Sequence, residues 1–100
     1  MENNQVFEDA YLKLAETFAK LTQTKQGKDL LQLVTLKGDG YSFYYAPRKA
    51  QIMRINKKDE MYLMPWAKDE KDRYYIFVPK GSAGLIVLVP EDEVEIHGFN

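Results

Sequence analysis

The sequence predicts an α+β fold: an N-terminal helix packed on a strongly curved antiparallel β-sheet. The sheet is expected to be a meander of five to seven strands, with half-barrel closure as one option. Three observations carry this. Apolar residues recur at three- and four-residue spacing only near the N-terminus. From about residue 29 onward, short β-branched and aromatic runs are broken by Gly, Pro and charged turns. Two of those runs, Tyr74–Val78 and Leu85–Val89, are apolar at every position, so both faces of the strands require cover.

The helix is expected over about residues 4–26. Phe7, Ala10, Tyr11, Leu14, Phe18 and Leu21 form its stripe, and Asn3 or Asn4 is a candidate N-cap. Asp9–Lys13 and Glu16–Lys20 are i,i+4 pairs in the favourable order, and Gly27 is a plausible stop. Leu12, Ala15 and Ala19 lie off the stripe, as ordinary filler or as a shallow second contact strip. The sheet is expected over about residues 29–99. Leu30–Leu36 is apolar on both faces and reads as strand, although its periodicity alone does not exclude helix. Gly38-Asp39-Gly40 signals a tight turn before Tyr41–Tyr45, which Pro47 ends. Gln51–Asn56, Met61–Met64, the two fully apolar runs and Val94–Ile96 complete the strands. Short links between them favour antiparallel neighbours.

Composition bounds the function. One hundred residues make a single domain spanning 1–100, and a formal net charge of −1 gives the whole chain no electrostatic pull toward nucleic acid or acidic membrane. No apolar run reaches the about 18 residues of a membrane span, and the acidic, polar N-terminus is unlike a signal peptide. The expected location is therefore cytoplasmic. With no Cys, neither a disulfide framework nor a thiolate metal site can form, and one His makes a zinc site implausible. His97 with Ser42 or Ser82 gives no triad spacing, so no catalytic residue, cofactor or metal ligand is assigned. Asp69, Glu70 and Asp72 lack the spacing of a calcium loop and read as a solvated turn. Lys80–Gly84 lacks the order of a P-loop and reads as a strand connection. Glu91, Asp92, Glu93 and Glu95 form an acidic patch that keeps the chain soluble or meets a basic partner.

The sharpest local signal is Gly40–Lys58, which contains no acid. Tyr44, Arg48, Lys49, Arg54, Lys57 and Lys58 are the candidate contacts of a single-strand nucleic-acid platform, in which bases stack on aromatics beside cations. Lys37-Gly38-Asp39-Gly40-Tyr41-Ser42-Phe43-Tyr44 resembles the RNP1 motif of RRM domains, which bind RNA. Lys37, Gly38, Gly40, Tyr41 and Tyr44 match it, while Asp39 and Ser42 depart from it. The resemblance covers eight residues, and the order of elements is not that of an RRM, so no RNA-binding residue is carried over.

The function expected first is a non-catalytic protein-binding module that also self-associates as a homodimer, for example a small inhibitor or adaptor such as a phage encodes. One helix covers one face of about three strands, and an apolar second face exceeds the few hundred Å² that monomers usually expose. Stacking of two copies, a different protein or closure of the sheet would each cover it. Tyr62, Met64, Trp66, Tyr75 and Phe77 are the candidate protein contacts, because aromatics and Met are enriched at interfaces. The alternatives are the nucleic-acid platform and a small-molecule-binding domain.

Overall fold

In the computed structural model the described residues are 2–39, 41–46, 50–80 and 83–99, with side chains from residue 9 to residue 98 outside those gaps. The elements are α1 (Glu2–Leu21), α2 (Lys25–Lys28), β1 (Gln32–Leu36), β2 (Tyr41–Ala46), β3 (Ile52–Ile55), β4 (Tyr62–Leu63), β5 (Arg73–Lys80), β6 (Ala83–Pro90) and β7 (Val94–Phe99). Together they make the expected α+β arrangement, a helix packed on an antiparallel sheet of seven strands.

The predicted single helix is two. α1 ends at Leu21, and the Thr24 hydroxyl caps α2 by accepting from the Gly27 N–H at 3.0 Å. Gly27 is buried inside this short turn rather than ending the long helix, because a Cβ there would strike the Leu21 carbonyl. α1 begins at Glu2, so Asn3 and Asn4 lie in its first turn instead of preceding it. The stretch left open between strand and helix is strand from Gln32, with Leu30 ahead of it and 68% exposed.

The strand order is β3-β2-β6-β5-β4-β1-β7. Only three of its six neighbour pairs are consecutive in the chain, so the sheet is not a simple meander. The centre is the long β5–β6 hairpin, paired from Arg73↔Pro90 to Lys80↔Ala83. β6 takes β2 as its second neighbour, and β1 inserts between β4 and β7. Non-local pairing of this kind follows from strands apolar on both faces, which gain most from central positions. β3 and β7 pair on one side only, so the sheet is open. The strong curvature and the half-barrel option therefore gain no support from the ladder.

Both faces of the centre are buried. On the helix side, Phe18, Ala19 and Leu31 pack with Ala46, Tyr62, Met64, Phe77, Ile86 and Leu88. On the other side, Ile76, Val78, Val87 and Val89 join Val34, Leu36 and Val94 from one flank and Phe43 and Ile55 from the other. Residues from both ends of the strand order thus share one cluster and cover the central strands from within the chain. The second face, expected to be covered by closure of the sheet, a second copy or a different protein, is already dry at its centre, with Ile76, Val78 and Val87 all at 0% exposure.

Candidate functional site: an aromatic corner at the helix–sheet junction

Successive residues of a strand point to opposite faces, and the ladder fixes which face each candidate occupies. Tyr62 pairs with Phe77, and both point to the helix side under Phe18. Tyr62, Met64 and Phe77 are 2%, 1% and 0% exposed, so these three expected contact residues are core within the chain. The alternation of Tyr62 and Met64 is that of a strand lying beneath a helix. The Tyr62 hydroxyl donates to Glu60 at 2.6 Å, and Glu60 pairs with Lys28 at 2.7 Å, which ties α2 to β4. Burial, then the bond to Glu60, raises the Tyr62 hydroxyl above its usual pKa.

Trp66 and Tyr75, the other two expected contacts, are half-buried at the end of this core. They meet Tyr11 of α1. The Tyr11–Trp66 centroids are 4.6 Å apart at 90°, the Trp66–Tyr75 centroids 5.3 Å apart at 86°, and the Tyr11–Tyr75 centroids 5.7 Å apart. Two perpendicular contacts set positive ring edges on negative ring faces, and each such pair adds about 0.5–1.5 kcal/mol beyond area burial. Burial, then the hydrogen bond with Tyr75, raises the Tyr11 hydroxyl. An open hollow of about 310 Å³ lies against the trio, completed by Ala10 and Ala67.

A partly buried ion pair holds the loop behind Trp66. Asp69 accepts from the Lys71 and Arg73 backbone N–H groups at 3.0 and 2.9 Å, and from Arg73 Nε at 2.8 Å. Arg73 Nη2 stands 2.6 Å from the same carboxylate, whose side chain is 1% exposed. Burial alone would raise the Asp69 pKa, but these bonds hold it below the usual carboxylate value. The sequence reading of Asp69 as part of a solvated turn is therefore corrected. The turn closes at Asp72, whose φ of 55° is left-handed.

The same face continues onto β2 and β3. Tyr44 lies in register with Leu88 and Ile52, and Leu88 with Tyr75. α1 packs on β5 and β6 but leaves this flank open: Tyr44 is 43% and Ile52 59% exposed. Ser42↔Arg54 register puts Arg54 beside Tyr44 on that face. The Arg73 guanidinium sits 5.6 Å from the Tyr44 ring centroid. Lys57 and Lys58 are exposed just beyond β3, while Arg48 and Lys49 lie outside the described residues. The structure thus brings Tyr44 and Arg54 together. The RNP1-like run enters β2, one strand from the sheet edge.

Elsewhere, Leu12, Ala15, Ala19 and the Ala83-Gly84 end of the β5–β6 hairpin line a shallow groove of about 490 Å³. This is the second strip seen in the sequence, but it has no aromatic anchor. His97 Nε2 lies 2.8 Å from Thr35 Oγ1 in an exposed contact between β7 and β1. Among the described residues no three His, Asp or Glu side chains converge to hold a metal, and no helix is long and apolar enough to cross a membrane. No family model, curated protein or solved structure matches the chain.

Proposed function

We propose that this chain is a non-catalytic protein-binding module of the inhibitor or adaptor kind, with the Tyr11–Trp66–Tyr75 corner as its contact centre. The observation that carries the reading is an aromatic trio set edge to face against an open hollow between α1 and the loop after β4. Interface hot spots are enriched in Trp and Tyr that are rigid before binding, because little side-chain entropy remains to be lost. Asp69–Arg73 supplies that rigidity from behind. The test compares capture of interacting proteins from the native host by the wild type and by Trp66→Ala and Tyr75→Ala. Both variants should keep the wild-type circular dichroism and lose the same captured species.

A second reading has its own observation. Tyr44 and Arg54 share one uncovered face, the minimal arrangement for stacking a base beside a cation. Binding of single-stranded oligonucleotides that weakens steeply with salt, and weakens further in Arg54→Ala, would support it over the protein-binding reading.

A further inference from the structure

The two open edges of the sheet carry opposite charge. Tyr45 N–H donates to the Gln51 carbonyl at 2.9 Å, so odd-numbered residues of β3 bond to β2. Ile52 and Arg54 therefore turn their N–H and C=O groups toward the open side. Likewise Lys37 N–H donates to the Glu93 carbonyl at 3.0 Å, so Glu93 and Glu95 bond to β1, up to the register shift that follows Ile96. Val94 and Ile96 then face outward along the other edge. Beside the first edge stand Arg54, Lys57 and Lys58, all exposed, which outnumber the Asp39 and Asp59 carboxylates that accept from the Lys57 and Asn56 N–H groups there. Beside the second stand Asp92 and Glu95, also exposed. Each edge also holds an exposed isoleucine, Ile52 at 59% and Ile96 at 38%.

We propose that β3 of one copy of this chain pairs with β7 of a second copy, head to tail and antiparallel. Lysine on an edge strand normally keeps edges apart. Here the opposite edge has the opposite sign, so the same residues attract it while β3–β3 and β7–β7 pairing bring like charges together. The antiparallel sense satisfies both observations at once. It sets the basic C-terminal end of β3 beside the acidic N-terminal end of β7, and Ile52 beside Ile96. The parallel sense would leave Ile52 against the acidic end. The pair keeps one free edge of each kind, β7 on one copy and β3 on the other, so the assembly grows as a chain or closes as a ring. This surface is separate from the aromatic corner, and the inference does not rest on that reading.

Sedimentation velocity tests it, comparing about 0.01 M salt, where screening extends about 30 Å, with about 1 M, where it extends about 3 Å. The wild type should associate at low salt, with the midpoint concentration rising at least about tenfold at high salt. Lys57→Glu/Lys58→Glu and Asp92→Lys/Glu95→Lys should each be monomeric alone and should associate when mixed, because each supplies the edge that the other lacks. Arg54→Pro, whose lost N–H faces away from β2, should keep the fold by circular dichroism and abolish association. Trp66→Ala should associate as the wild type does. A wild type monomeric at low salt, or charge variants whose mixture stays monomeric, would overturn the proposal.

Discussion

Tyr74 and Tyr75 are adjacent on β5 and point to opposite faces, and the two faces solve the problem of cover differently. Tyr74 packs against the cluster to which both flanks of the sheet contribute, from Leu36 and Val94 to Phe43 and Ile55. Tyr75 packs on the helix side, where α1 covers the middle strands and the Ala46 end of β2 but leaves Tyr44 and Ile52 exposed. Of the large apolar residues left exposed on the sheet among the described residues, Tyr44 and Ile52 belong to the helix side and Ile96 to the edge of the other. A face covered by its own flanks is finished by folding. A face covered by one helix is dry only beneath that helix, and beside it Tyr44 and Ile52 stay exposed.

The comparison breaks first if the flank-covered face is not a true core. Phe77→Ala on the helix side should cost about 3–5 kcal/mol and Ile76→Ala on the other about 2–5 kcal/mol, by urea denaturation. An Ile76→Ala cost below about 1 kcal/mol, the level of a surface change, would mean that the second face is wet.

Next in size is the ion pair behind the aromatic corner. Hydrogen bonds to a charged group contribute about 1.5–3 kcal/mol, and Asp69→Asn should cost about that much in this partly buried pair, since two backbone N–H bonds can persist to its amide oxygen. The folded pKa of Asp69 is lowered, so its contribution is fully present above the unfolded value of about 3.9 and is lost as pH falls through the folded one. Stability of the wild type should fall more steeply than that of Asp69→Asn below about pH 4. Parallel curves would show that the pair is not coupled to folding.

Gly84 sharpens the helix side. A Cβ there would run into the Phe77 ring, which lies under Phe18. Gly84→Ala should therefore cost about 1–3 kcal/mol through overpacking, read from the thermal midpoint. Gly98 has nothing within 4 Å of such a Cβ, and Gly98→Ala should be near neutral.

Much of this arrangement was legible in the sequence, because periodicity reports directly on secondary structure. Tyr11, Leu14 and Phe18 announced the face that α1 buries, and the unbroken apolar runs announced a hairpin buried on both sides. What covers the second face was not legible, since it depends on β1 joining β4 and β7 far along the chain. The five residues expected at a contact surface divide for the same reason. Alternation gives the face of Tyr62, Met64 and Phe77 but not how far along that face the helix extends. Trp66 and Tyr75 are only half-buried against Tyr11 of α1, a contact that the packing alone reveals. Asp69 read as solvated because its partner, Arg73, opens a strand four residues on and folds back over it.

The difference between the two faces is tested most directly by photo-crosslinking from two neighbouring positions. A photoreactive phenylalanine analogue is placed at Tyr75 in one variant and at Tyr74 in the other, and each is irradiated in the native host. A discrete adduct with another protein is expected from position 75 and not from position 74. Adducts from position 74 alone, or from neither position, would contradict a contact surface on the helix side.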